Sequence, residues 1–432
     1  MERILNEAKK VAEEAEVFCI TSETTPVQFE ANRLKHVQSK QSTHVALRII
    51  KDGRIGYAAS TNLKESRKIV DSAVETAEFG MKAEFEFPSL DSYPKVVTYD
   101  PAIRRVSTAE MTELGEKMIS SVRKNTPELQ CEASISKGTI SVRLINSRGG
   151  QAEYRKSVFS LGVEGQLIRG TDMLFVGEGQ SSCHPINDIS GIVEIVLQQL
   201  EFSRINTSIK TGELPVIFTP RGVTSALVQP LMAGLNGKLV LEGSSPLVNK
   251  LGDKSFDNVL SIFDDPTIDF QPGSRPCDDE GTASQRTSLI ENGVVSNFLY
   301  DLQTAALAGK KSTGSGERHG GLPSPSVSAF IVSAGETTFN DMVADIKEGL
   351  VVEYLMGAGQ GNTLGGDFSG NVLLGYRIEN GKIVGRVKDT MVAGNVYKVL
   401  NRVAAIGSET VWVGGMLQTP PIYFSSVSVS SK

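Results

Sequence analysis

The chain is short of the residue types that most often declare a chemistry. Its 432 residues include four histidines, four cysteines and one tryptophan, and aromatics make up only 6%. Zinc hydrolases generally set two histidines and an acid at helical spacing, with a glutamate as general base. His36, His44, His184 and His319 form no such pair, and no His-Glu-x-x-His occurs. Cys183 and His184 are adjacent, which points them apart on a strand, so they read as structural. Cys19, Cys131, Cys183 and Cys277 lie far apart without any Cys-x-x-Cys, which suits free thiols in a cytoplasmic, reducing setting. No run reaches the roughly 18 apolar residues of a membrane span, and the charged start MERILNEAKKVAEEAE has no apolar core of a signal peptide. Basic residues form no stripe and the net charge is −6, which disfavours nucleic acid and anionic membranes as partners. Gly-x-Gly-x-x-Gly, a P-loop and Gly-x-Ser-x-Gly are all missing, and Cys277 beside Asp278 has no histidine near it in sequence.

Glycine, by contrast, is plentiful at 42 residues, and turns are correspondingly easy to place. The most organised stretch runs from Asp278 to Gly316. It opens on Asp278, Asp279 and Glu280, and then strand-like runs flank Asn292-Gly293. Asn-Gly between two such runs is a strong hairpin signal, because a type I′ turn needs two residues tolerant of positive φ. A short helix over Asp301–Leu307 and a Gly/Ser loop over Ser312–Gly316 complete a unit able to hold polar groups over a cleft. A plain surface hairpin with a flexible loop is the competing reading.

Along the chain, apolar residues at Ile4, Leu5, Ala8, Val11, Ala12 and Ala15 predict a first helix. Strands are expected at 17–21, 26–32, 43–50 and 55–59, with a turn at Asp52-Gly53, then a helix over 63–81 and a proline-marked connector over 83–101. Ser107 and Glu110 form a capping box for the next helix. Strands follow at 131–137, 140–146, 151–156, 158–166 and 173–176, and a helix at 189–202. This is an α+β pattern: a domain of helices and antiparallel strands over 1–210, and a mainly antiparallel β domain with a few helices over 211–432. The run Gly357–Gly370 reads as a glycine-lined turn, either where backbone passes close to backbone or where an extended ligand lies.

Two long motifs carry a resemblance. DDEGTASQRTSLIENGVVSNFLYDLQTAA with KSTGSG, and GDFSGNVLLGYRIENGKIVGRVKDTMVAGN, are similar to the TldD/PmbA family of metallopeptidases, whose members have also been called modulators of DNA gyrase. The resemblance is specific from about Gly212 onward and looser before it. It implies a cytoplasmic two-domain protein that dimerises, as a homo- or heterodimer. The family's catalytic branch carries His-Glu-x-x-x-His after the first strand of the second domain, binds zinc and cleaves unfolded peptides. Here the segment is PRGVTSALVQPLMAGLNG, and Val228, Gln229 and Ala233 fall at the His, Glu and His positions. Valine and alanine cannot ligate a metal, glutamine cannot act as a general base, and Pro230 is expected to kink the helix.

The resemblance therefore implies a PmbA/TldE-like chain with no metal site, no catalytic residue and no cofactor of its own. Its partners would be a TldD-like catalytic paralogue, which holds the zinc, and a peptide or unfolded protein. The alternatives are an independent peptidase with an unrecognised metal site and a non-enzymatic binder of extended peptides. Asp279, Glu280, Arg286, Thr313 and Gly314 are expected to line a groove, unless Arg286 belongs to an ion-paired core. Gly359 and Gly365 are expected beside a strand edge to which a peptide adds through main-chain hydrogen bonds.

Overall fold

The structure, a computed structural model, describes residues 1–432. Alternating polar and apolar residues in the first half become one sheet of long strands. These are β1 (Glu14–Glu30), β2 (Arg33–Val37), β3 (Lys40–Lys51), β4 (Arg54–Ser60), β5 (Gln130–Asn146), β6 (Gln151–Arg169) and β7 (Asp172–Ser182). They pair antiparallel in the order β4-β3-β1-β5-β6-β7, with β2 on the far end of β1. Runs expected as separate strands are continuous. Ser22, Glu23 and Thr24 break the apolar pattern of β1, yet both of their edges are paired, to β3 and to β5. Residues of one parity on β1 (Ala15, Val17, Val27, Phe29) pack beneath α1 (Glu2–Ala8), α2 (Ser66–Ala77), α3 (Thr108–Arg123) and α4 (Ser190–Phe202). The first helix stops at Ala8, short of its periodicity, because the sheet takes the chain from Glu14. Ser107 caps α3 as expected: its hydroxyl accepts from the Glu110 N–H at 3.1 Å, and the Glu110 carboxylate accepts from the Ser107 N–H at 2.6 Å.

The second half begins with β8 (Asn206–Thr207), β9 (Gly212–Phe218), the short helices α5 (Pro220–Val223), α6 (Gln229–Gly234) and α7 (Gly237–Leu241), and β10 (Ile262–Asp264). The hairpin of β11 (Thr287–Glu291) and β12 (Val294–Val295) turns at Asn292 and Gly293, with φ of 49° and 80°. Next are α8 (Leu302–Leu307), the pair β13 (Gly316–Glu317) and β14 (Ser324–Pro325), β15 (Phe330–Val332) and α9 (Phe339–Asp345). The remaining strands are β16 (Glu348–Met356), β17 (Asp367–Glu379), β18 (Lys382–Val387), β19 (Thr390–Asn395), β20 (Val403–Ile406), β21 (Val411–Val413), β22 (Leu417–Thr419) and β23 (Ile422–Ser431), with α10 (Val396–Val399) after β19.

Pairing in the order β16-β9-β23-β19-β17 returns from β17 onto β16, so these strands close a ring. β18 and β8 extend it, and a smaller sheet runs β12-β11-β10-β15-β22-β21. The fold is α+β, and its second half is mainly antiparallel; β9–β16, β15–β22 and β18–β8 are the parallel pairs. One core of 40 buried residues fills the second half, and another of 30 joins α3, α4 and the first sheet to Ile217, Val351, Leu374 and Tyr376 of the ring. No helix is long and apolar enough to cross a membrane.

The opposite parity of β1 carries Glu16 and Phe18. Glu16 is directly across from Arg48 of β3, so strand pairing alone brings the two charges together. Both are buried, at 0% and 2% exposure, and Glu280 of the second half reaches Arg48 at 2.5 Å. Arg318 also pairs with Glu16. Phe85 and Phe87, in the segment expected as a mere connector, hold the Arg48 guanidinium 4.8 and 4.9 Å from their ring centres. Desolvating an ion costs several kcal/mol, which only close partners offset. Arg48→Met should therefore cost about 3–5 kcal/mol in urea unfolding, because it strands the buried Glu280 carboxylate and leaves Glu16 to Arg318 alone. Adding Glu280→Gln should recover most of that loss; no recovery would show that shape, not charge, sets the cost.

Candidate functional site

The Asp278–Gly316 stretch is compact, as its motifs suggest, but its acids point inward. Asp278 accepts from the N–H groups of Glu280, Thr282 and Gly316 at 2.8–3.0 Å, closing the stretch on itself. Glu280 is fully buried; besides Arg48 it accepts from the Leu302 N–H at 2.7 Å, at the start of α8. Asp279 accepts from the Arg318 N–H at 2.9 Å and lies 3.8 Å from Arg275. Burial, then the neighbouring Glu280 charge, raises the pKa of Asp278. Thr313 is buried and ties to Tyr300 through its hydroxyl, while Gly314, at φ 70°, packs against the Ala283 carbonyl. The expected groove over these residues is thus corrected to an ion-paired junction between the halves. Arg286 takes part in neither: it is exposed and stacks over Phe263 at 3.8 Å.

The segment after β9 stays helical from Pro220 to Gly234 but is irregular. A wider π turn over Thr224–Val228 links α5 to α6, just ahead of Pro230, whose missing N–H and bulky ring disfavour a regular α-helix. Val228 is 7% exposed; Gln229 is exposed, and a Cβ placed on Gly359 would come within 2.7 Å of its Oε1. The glycine loop therefore lies over the irregular helix. Gly365 donates its N–H to Asn362 at 3.0 Å, and its carbonyl accepts from Asn395 at 2.7 Å. The strands flanking the loop, β16 and β17, pair with each other and with β9 and β19, so the expected open edge is closed. Val228 and Ala233 carry no donor atom, so these two positions do not fit zinc.

A larger opening lies where the free face of the first sheet meets the ring. One part, about 720 Å³, crosses β1, β5, β6 and β7 and is closed by Arg221, Val413 and Gly414. The next, about 580 Å³, shares Glu30, Glu132, Glu164 and Arg221 with it and ends on Glu353, Tyr354 and Leu374. Its floor is smooth because Ser134, Gly162 and Gly179 stand in register across three strands, with Ser160 two residues along β6. Thr219 caps α5 and fixes the entry of Arg221, whose guanidinium bonds the Gly177 carbonyl. The Thr219 hydroxyl donates to Glu353 at 3.0 Å. None of the candidate site residues expected from the sequence lines this cleft. Glu353 had left a signal, as the one charge in the apolar run GLVVEYLM.

The family model "PmbA/TldA metallopeptidase C-terminal domain" matches residues 211–431, and "PmbA/TldA metallopeptidase domain 1" matches residues 15–79. The chain belongs to the PmbA/TldD family. An uncharacterized Methanocaldococcus jannaschii protein, MJ0231, is 27% identical over 429 residues, 98% of each chain. A Haemophilus influenzae metalloprotease PmbA homolog is 24% identical, across 98% of this chain and 93% of its own length. TldE from Thermococcus kodakarensis, at 24% identity, superposes over the whole of both chains with a TM-score of 0.90, which establishes a common fold. In this PmbA/TldD chain the cleft and the glycine loop flank the same irregular helix, one at Arg221 and the other at Gln229.

Burial lifts the Glu353 carboxyl to about 7; its bond from Thr219 and the Arg221 charge oppose the rise, and Glu178 adds to it. The folded chain thus holds this proton more tightly than the unfolded chain does. The stability it brings is complete below the ordinary carboxyl value and is lost as pH rises through 7. Glu353→Gln should remove that loss. Its unfolding free energy should gain on the parent chain by about 2 kcal/mol between pH 5 and pH 8, measured by urea titration.

Proposed function

We propose that this chain is a PmbA/TldE-like subunit of a TldD/TldE-type metallopeptidase complex, handling unfolded peptides while a TldD-like paralogue supplies zinc and cleavage. The observation that carries this reading is the side chains at 228, 229 and 233: Val, Gln and Ala offer neither ligands nor a base. Residues 1–210 then supply the sheet wall of the cleft, and 211–432 the peptidase-like half. The smooth floor and polar rim support an extended guest.

Peptide cleavage by this chain, by a paralogue bearing His-Glu-x-x-x-His, and by both together tests the reading. Expected are no cleavage by this chain alone and more by the pair than by the paralogue. Cleavage by the purified chain alone would overturn it. Elemental analysis after dialysis should find well under one zinc per molecule; a stoichiometric metal lost on substituting His36, His44 or His184 would point instead to an independent peptidase.

Gly359→Val should leave both the fold and peptide capture unchanged, since the nearest obstacle is the flexible end of Gln229 and Gly359 lies outside the cleft. Capture weakened at least fivefold at an unchanged Tm would bring the glycine loop into the binding site.

A further inference from the structure

β7 is an outer strand of the first sheet, paired to β6 on one side and to no strand on the other. The N–H and C=O groups of alternate residues point away from an outer strand's partner. On β7 the residues of this parity include Met173, Gly177, Gly179 and Ser181, with Cys183 just past its end. Three of them are closed. The Met173 carbonyl accepts from Arg386 at 3.0 Å. The side-chain amide of Gln199 pairs with Gly177 as a strand would, accepting from its N–H at 2.8 Å and donating to its carbonyl at 3.2 Å. Cys183 donates its N–H to the Phe270 carbonyl at 3.1 Å. Between Gly177 and Cys183 the edge is open. Neither the Gly179 carbonyl nor the main chain of Ser181 is bonded on this side. The Gly179 N–H is held by the carboxylate of its own neighbour, Glu178, at 2.8 Å.

A second observation is where this gap lies. Glu178, Gly179, Gln180 and Ser181 all line the 720 Å³ part of the cleft. A strand seen face-on shows alternate residues, so four in a row mark an edge. Gly177 is buried, whereas Gly179 and Gln180 are exposed. The sheet's other outer strand, β4, lies away from the cleft and is covered: Ile55 donates its N–H to the Met81 carbonyl, and Tyr57 to the Thr76 hydroxyl, each at 2.9 Å. Exposed edges recruit other chains, and folded proteins blunt them with charges or cover. On β7 the blunting is one carboxylate that can swing away.

We propose that the cleft takes its peptide as an added strand on β7, bonded to the main chain of Gly179 and Ser181, with the Glu178 carboxylate as a removable cover over the Gly179 N–H. The occupant is an extended peptide with free amide N–H groups; its side chains matter little, because the backbone supplies the bonds. This deepens the peptide-handling reading and rests on it. No covalent bond is made or broken.

Isothermal titration of the full chain compares an unstructured ten-residue peptide of serine, threonine and alanine with the same peptide N-methylated at every residue. Expected is at least tenfold weaker binding of the methylated peptide. Ser181→Pro removes an outward N–H without touching the bonds to β6, a position where proline is tolerated. It should keep the Tm and weaken the unmethylated peptide at least tenfold. Glu178→Ala should tighten that peptide severalfold; unchanged binding there overturns the cover. Hydrogen exchange on the parent chain gives a reading that needs no variant to fold: the Gly179 and Ser181 amides should slow at least tenfold when the peptide is bound. Equal binding of both peptides, or amides left unprotected in the bound state, overturns addition to β7 and leaves peptide handling standing. Absence of binding by either peptide overturns peptide handling itself.

Discussion

The buried Arg48 guanidinium is the contact on which the arrangement of the two halves turns. It joins Glu16 of the same sheet to Glu280 of the second half, and Arg318 returns the link to Glu16. A core of aliphatic side chains tolerates small slips, because dispersion and burial are nearly indifferent to register. A chain of buried ions does not, since each charge stripped of water needs its partner at bonding distance. The same strands that carry Glu16 at one end carry Gln28 and Glu30 at the other, on the cleft. Fixing the first end thus fixes the width of the opening some ten residues along the strand.

Much of the local structure was legible before the fold was known. Asn292-Gly293 and Asp52-Gly53 both adopt the positive φ that their residue types favour, and the capping box at Ser107 closes as its spacing suggests. Local chemistry decides such features. The acids at 278–280 were misread for the complementary reason: an acid on a groove and an acid in an ion pair look alike in sequence. Arg48 is 232 residues away from Glu280, and nothing near Glu280 advertises it. The breaks expected at Ser22–Thr24 and near Gly138 failed because a strand paired on both edges keeps its extension regardless of side chains.

The cleft was illegible for a geometric reason. Its lining comes from short runs on β1, β5, β6 and β7 that lie far apart in the chain between Gln28 and Gly414, so no single window of sequence holds more than one part of the wall. Glu353 is the exception, being a charge inside an apolar run. The motif positions after β9 show the reverse case: their identity was readable, while the π turn beside them was not, since only the fold reveals how the helix accommodates Pro230.

The last strand has a further consequence. β23 lies between β9 and β19, so Ile422 pairs with Phe218 across most of the second half. On the ribosome, β9 emerges long before the residues that cover it. Until β23 arrives, two strands present bare hydrogen-bonding edges of the kind that recruit other chains. Ring closure therefore waits for β23, and until that strand is made the newborn chain must hold those edges apart from its neighbours.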